Sequence, residues 1–320
     1  MRVLILGGGG FIGQKIARSL AVRKTLRGEP ITHMALADLA EPATVEAPFE
    51  VSLHAMDIAD RASVDEVFKV KPDVIFHLAA IVSGQAEAEF DLGMRVNLFG
   101  SINVFEAARA LGTRPVVVYT SSCAVYGGEI PKEIEDWTGL NPQTSYGAQK
   151  AAAELLITDY SRKGFLDGRG PRLPTVTIRP GKANAAASSF MSSIFREPLQ
   201  GEEAVCPVDA DYALWYASPR VVTENLILCA EVDAEALGEN RCFALPGKVA
   251  TIGEMIEAMR KVAGDEPVNR IKWEKDQRIY DIVTGWRPYI NPQKALKLGL
   301  KHDDSFEDNV RYFLEDDIRR

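Results

Sequence analysis

The chain has 320 residues, 46% of them hydrophobic, enough to bury a full core and to build one large domain with a smaller lobe. A formal net charge of −8 and the lack of any clustered Lys/Arg tract remove the electrostatic footprint that nucleic acid or an anionic membrane requires, so neither is expected as a partner. The four cysteines show no C-x-x-C spacing and no neighbouring histidine cluster, and there is no leader-like N-terminus or membrane-length apolar run; reduced thiols in a cytoplasmic protein, without disulfide or metal, are the expectation.

The N-terminal run Val3-Leu4-Ile5-Leu6 reads as a strand that breaks into Gly7-Gly8-Gly9-Gly10. It resumes as an amphipathic helix with Phe11, Ile12, Ile16, Ala17 and Leu20 on one face. In such a strand–turn–helix, Gly7 permits a positive φ, Gly10 lets a pyrophosphate approach the backbone, and Gly13 lets the helix pack close to the strand. The N–H groups that open the helix then face the anion. Consecutive glycines alone also fit a flexible loop. The next apolar run, Met34-Ala35-Leu36-Ala37-Asp38, ends in an acid and supplies the context of a dinucleotide site.

Residues 50–56 read as a third strand closed by Asp57, and 62–70 as a helix. After Pro72-Asp73, the unbroken apolar run 74–80 suits a strand buried on both faces, with His77 a satisfied strand-end histidine. A single long helix is expected over 87–111, capped by Gly112. Residues 116–120 form a fifth strand ending in Ser121-Ser122, 145–163 a long helix, and 176–179 a sixth strand stopped by Pro180-Gly181. This alternation predicts a doubly wound parallel α/β sheet of Rossmann type over 1–180, with a possible return strand near 241–246. Residues 181–320 are expected to form mainly a smaller C-terminal substrate lobe, with helices after Ser218-Pro219 and after Thr251, where Glu254 completes a capping box.

Tyr146 and Lys150 lie four apart at the start of the long helix, so their side chains rise from one face, and Ser122 ends the strand upstream. A free phenol is a poor base at neutral pH, but a neighbouring ammonium favours the phenolate. Tyr146 then suits proton removal from an alcohol, Ser122 a hydrogen bond to the reacting oxygen, and Lys150 a bond to the nicotinamide ribose.

With these pieces in place the sequence resembles the extended short-chain dehydrogenases/reductases, the NAD-dependent epimerase/dehydratase family. The matching text is Gly7-x-x-Gly10-x-x-Gly13, Asp38, Asp57, His77-Leu78-Ala79-Ala80, Asn97, Ser121-Ser122-Cys123-Ala124-Val125-Tyr126-Gly127, Tyr146-Gly147-x-x-Lys150 and Arg179-Pro180-Gly181, which spans most of the chain. The resemblance implies catalytic roles for Ser122, Tyr146 and Lys150. It also implies NAD contacts from Gly7, Gly10, Phe11, Ile12, Gly13, Asp38, Asp57, Ile58, Leu78, Ala79, Ala80, Tyr146, Lys150 and Pro180, a mainly structural Asn97 at the cofactor site, and a homodimer. Asp38, which would accept from the ribose 2′-hydroxyl and repel a 2′-phosphate, implies NAD rather than NADP.

After the expected sixth strand, the Ala/Ser-rich text 181–190 departs from the sugar-nucleotide members of that family. Lys182, Asn184, Ser188, Ser189 and Arg196 offer donors for a small carboxylate. This segment, with Arg196-Glu197-Pro198-Leu199, is similar to a branch of the family that oxidises a four-carbon sugar acid, D-erythronate, at C2. Three readings follow: a dehydrogenase of a small hydroxy acid, a nucleotide-sugar epimerase or dehydratase, and a catalytically silent cofactor sensor, which would have no need of the intact Ser122, Tyr146 and Lys150.

Overall fold

The computed structural model describes residues 1–182, 189–283 and 285–318, and the chain divides into two compact units. Met1–Ser122, Thr144–Arg172 and Thr223–Phe243 make the first; Cys123–Gln143, Leu173–Val222 and Ala244–Arg320 make the second.

The first unit is built on strands β1 (Arg2–Leu6), β2 (His33–Asp38), β3 (Glu50–Ala55), β4 (Val74–His77), β5 (Val116–Tyr119) and β6 (Asp167–Leu173), in the order β3-β2-β1-β4-β5-β6. The pairings along this path are parallel. Cys242–Ala244 adds an edge strand next to β6, which assigns the 241–246 text to this sheet. The central strands are apolar along their whole length because helices cover both faces: every residue of β4 and β5 is buried. Leu4, Leu6, Ile75, Val117 and Tyr119 join Val104, Phe105, Ala153 and Ile157 in one core cluster.

The helices include α1 (Phe11–Arg23), α2 (Arg61–Val67), α3 (Gly100–Ala110) and α4 (Ser145–Arg162). Asp60 caps α2 by accepting from Ala62 N, and Thr144 caps α4 by accepting from Gly147 N.

Two expectations are corrected. The sixth strand of the sheet is Asp167–Leu173, not 176–179; Thr175–Val176 pairs instead with Ala213–Ala217 in the second unit. The true strand carries charge, glycine and proline, and is buried because its charges find partners. Arg169, fully buried, bonds Asp167 Oδ2 at 3.0 Å and Val232 O at 2.5 Å, and Arg241 bonds Asp167 Oδ1 at 2.9 Å. At Gly170 a Cβ would stand 2.3 Å from Cys242 Sγ, so the neighbouring edge strand requires glycine there.

The long helix over 87–111 is instead a series: Ser83–Ala88, Phe90–Gly93, a π-helical stretch Met94–Phe99, then α3. Glu89, at φ −125° and ψ 72°, interrupts the first two pieces, and the wide turn lies at Asn97. Gly112, at φ +68°, follows its end as expected.

In the second unit Thr175–Val176, Ala213–Ala217 and Lys248–Thr251 form a three-stranded sheet. Helices Phe190–Leu199, Ile252–Ala263 and Phe306–Phe313 join a core in which Phe306 meets Phe195 at 4.8 Å and Tyr216 at 5.2 Å between ring centroids. The Thr251/Glu254 capping box is present, and Ser218 accepts from Val221 N at the start of Pro219–Glu231. Among the described residues, no helix is long and apolar enough to cross a membrane.

Candidate active site

The strand order places β1 and β4 side by side, with connections that leave in opposite directions; a ligand crevice lies outside the carboxyl ends of strands at such a switch point. The glycine turn follows β1, and Leu78, Ala79 and Ala80 follow β4. Leu78 N and Ala79 N both donate to Leu6 O, at 2.9 and 3.1 Å. This brings the second connection across Gly7, whose φ is +86° and whose Cβ would stand 2.9 Å from Ala79 N. At Gly13 a Cβ would lie 2.2 Å from Gly7 O, so α1 cannot pack this closely with any side chain there. Gly10, the N-cap of α1, supplies no side-chain bond to the first-turn N–H groups, which leaves them suited to an anion.

Asp38 ends β2 beside this turn: its Oδ2 accepts from Gly9 N at 2.9 Å and its Oδ1 from Leu39 N at 2.8 Å. Asp57 follows β3 and holds its own turn, accepting from Ala59 N at 2.9 Å. Ile58 is buried against Gly100, and its carbonyl accepts from Asn103. Asn97, in the π-helical stretch, accepts from Ile81 N at 2.9 Å and donates to Gln149 Oε1 at 2.9 Å, tying the loop after β4 to α4.

His77 is half-satisfied. Its Nε2 lies 3.0 Å from Ser101 Oγ, which itself donates to Asn97 O, so the imidazole nitrogen is the donor there. Burial, with the Lys150 charge adding, pushes His77 down to about 3, and its Nδ1 has no partner among the described residues. The ring is neutral at physiological pH.

Four polar residues of α4 are buried, Gln149, Lys150, Glu154 and Ser161, an unusual load for a core helix. Lys150 Nζ donates to Thr120 O at 2.9 Å and stands 4.8 Å from the Tyr119 ring centroid and 5.7 Å from that of Tyr146. Burial pushes its ammonium down to about 7, against the opposing pull of Glu154. Tyr146 and Ser122 are both half-buried. The turn glycines, Asp38, Ser122, Tyr146 and Lys150 thus all belong to the first unit, beyond the strand ends or on α4.

Of the expected substrate residues, Ser122 belongs to the first unit, Lys182, Ser189 and Arg196 belong to the second, and Asn184 and Ser188 lie outside the described residues. Lys182 is exposed, and Pro180 and Ser189 are half-buried. Arg196 is 2% exposed, with its guanidinium committed internally: Nη1 donates to Arg179 O at 3.0 Å and Nη2 to Glu197 at 2.5 Å. The sequence pattern assigns no role to Thr120, Ser121, Glu154 or Arg172, although Glu154 sits four residues past Lys150 on the same face, a signal available from spacing alone. Among the described residues no group of three or more His, Cys, Asp or Glu could hold a metal ion.

The NAD dependent epimerase/dehydratase family model matches residues 3–212. A D-erythronate dehydrogenase of Cupriavidus necator is 48% identical over 320 residues, covering 99% of this chain and 98% of that protein. A second, of Haemophilus influenzae, is 41% identical over 318 residues, covering 99% and 100%. Among solved structures, a nucleoside-diphosphate-sugar epimerase from Agrobacterium tumefaciens superposes with a TM-score of 0.94 at 44% identity, covering 99% of this chain and 94% of that one. A full-length match of this kind, on a sheet whose order, glycine turn and Tyr146/Lys150 helix are those described above, leaves one assignment: the chain belongs to the NAD dependent epimerase/dehydratase family.

Proposed function

We propose that this protein is an NAD-dependent dehydrogenase that oxidises a short 2-hydroxy sugar acid, D-erythronate in the first instance, at C2 to 2-dehydro-D-erythronate. The observation that carries the reading is the intact Ser122, Tyr146 and Lys150 set in a chain 48% identical, end to end, to a D-erythronate dehydrogenase. The turn glycines with Phe11 and Ile12, then Asp38, Asp57, Ile58, Leu78, Ala79, Ala80, Asn97 and Pro180, are the residues proposed to hold the cofactor. The tight Gly7 crossing and the uncapped start of α1 fit a pyrophosphate. A cofactor held by these residues would supply the acceptor for the hydride that leaves C2.

Tyr146, as phenolate, takes the C2 hydroxyl proton, while Ser122 donates a hydrogen bond to the same oxygen as it becomes a carbonyl. The Lys150 ammonium favours the phenolate by its charge. Residues 181–320, with Lys182, Asn184, Ser188, Ser189 and Arg196, are proposed to supply mainly the substrate contacts. Since Arg196 is spent on Glu197 and the Arg179 carbonyl, its proposed part is to hold the Arg179-Pro180 backbone, leaving direct carboxylate contact to the other donors.

Phe90, Phe99 and Leu155 are 56%, 53% and 68% exposed on the helical stretches 87–111 and 145–163, which supports a homodimer built on those helices. A monomeric mass by light scattering at micromolar concentration would overturn that part. A cytoplasmic location is part of the same reading, since the four cysteines show no C-x-x-C spacing.

The likeness to a nucleoside-diphosphate-sugar epimerase at 44% identity keeps one rival reading. An epimerase recycles its cofactor. Steady accumulation of NADH with D-erythronate, and none with sugar nucleotides, supports the dehydrogenase; interconversion of sugar nucleotides without net NADH supports the rival.

A further inference from the structure

Glu154 lies on α4 one turn beyond Lys150 and two beyond Tyr146, yet it is 2% exposed and has no part in the proton transfer. Its carboxylate is fully engaged. Arg172 of β6 forks onto it, Nε to Oε1 at 2.9 Å and Nη2 to Oε2 at 2.7 Å, and the Ser121 hydroxyl donates to Oε1 at 2.5 Å. A buried ion pair contributes little net stability compared with apolar residues of the same volume, so stability alone is a weak reason for this one.

Its neighbours suggest a better reason. Lys150 bonds Thr120 O and Glu154 bonds Ser121 Oγ, so consecutive residues of one extended segment are tied to consecutive turns of one helix. The next residue is Ser122. Adjacent side chains of an extended segment point to opposite sides; Ser121 is 2% exposed whereas Ser122 is half-buried. Holding Ser121 inward therefore sets the direction in which Ser122 leaves the segment, relative to the helix that carries Tyr146.

We propose that Glu154, clamped by Arg172, is a positioning residue that acts through Ser121 to fix the register of residues 120–122 against α4, and thereby the placement of Ser122 relative to Tyr146. This rests on the reading of Ser122 and Tyr146 as the reacting pair. The same carboxylate also favours the Lys150 ammonium against its burial.

Ser121→Ala removes the tie while leaving the Glu154–Arg172 pair intact. Misplacement of a reacting group by about 1 Å costs up to about 100-fold. The expected result is a kcat lowered about 10- to 100-fold, with KM for the acid and Kd for NAD unchanged within about twofold. Ser121→Thr, which restores the hydroxyl, should return kcat to within about threefold of wild type. Amide exchange in a peptide spanning residues 119–123 should accelerate in Ser121→Ala and in no distant segment. Glu154→Gln should repeat the loss of kcat; if it fails to fold, the Ser121 variants carry the test. Unchanged kcat in Ser121→Ala, or equal losses in the Ala and Thr variants, would overturn the proposal. If wild type fails to turn over D-erythronate, the substrate reading falls; the exchange measurement still decides, unchanged protection in Ser121→Ala overturning the tie and faster exchange supporting it.

Discussion

Lys150 should be a stability liability that the site retains for its charge, and Lys150→Met tests this directly. Its ammonium is 2% exposed and pushed from the usual 10.5 to about 7 by burial. Because the folded-state pKa lies below the unfolded one, the unfolded chain binds the extra proton between pH 7 and 10.5, and stability rises with pH across that window. The linkage relation gives a penalty of about 4–5 kcal/mol at pH 6 that shrinks to less than about 1 kcal/mol at pH 10, a swing of about 4 kcal/mol. Methionine abolishes the titration but also the bond to Thr120 O, a loss of about 1–3 kcal/mol at every pH. Thermal melts of both proteins from pH 6 to 10 should therefore show the variant more stable at the acid end and equal or less stable at the alkaline end. At about 2–4 °C per kcal/mol for a unit of this size, the difference in Tm should move by roughly 8–16 °C. A difference constant within about 2 °C over the whole range would show that no buried charge is being relieved, and would refute the reasoning.

Tyr146→Phe should lower kcat by about 10²–10⁴-fold while Kd for NAD stays nearly unchanged; retention of more than about a tenth of wild-type kcat would exclude Tyr146 as the base. Asp38→Ala should narrow the preference for NAD over NADP by about tenfold or more in kcat/KM, and should also weaken NAD itself because Asp38 holds Gly9 N. Erythritol, which lacks the carboxylate, should be a very poor substrate beside D-erythronate, since each charge-assisted bond to that group contributes about 1.5–3 kcal/mol. Equal turnover of the two would remove the carboxylate from the recognition scheme.

The parts of the fold that were legible are those whose stabilising partners are implied by local pattern. Val116 to Tyr119 can be read as a strand because an apolar β-branched run needs no particular neighbour, only burial on both faces. Asp167–Leu173 could not be read this way. Its burial depends on Arg241 for Asp167 and on Glu154 for Arg172, partners 74 and 18 residues away, and on an edge strand close enough to exclude any Cβ at Gly170. The same distinction separates the helix series before α3 from α4. An i, i+4 spacing announces the Tyr146/Lys150 face, whereas the π-helical turn at Asn97 accompanies bonds to Ile81 and Gln149 that no local period predicts.

The site divides along the same line. Glycines, an acid at a strand end and a Tyr/Lys pair are read in sequence because each meets a requirement imposed by the backbone next to it. An arginine in a polar segment carries no such mark: Arg196 offers the fork a carboxylate would want, and the structure shows that fork already occupied by Glu197 and the Arg179 carbonyl. Glu154 presents the opposite case, a charge that falls on the Tyr146/Lys150 stripe but faces inward to Arg172 and Ser121. For both residues the decisive quantity is which partner desolvates the charge, since a buried guanidinium or carboxylate without one would cost several kcal/mol, and that partner is supplied by the fold rather than by the spacing.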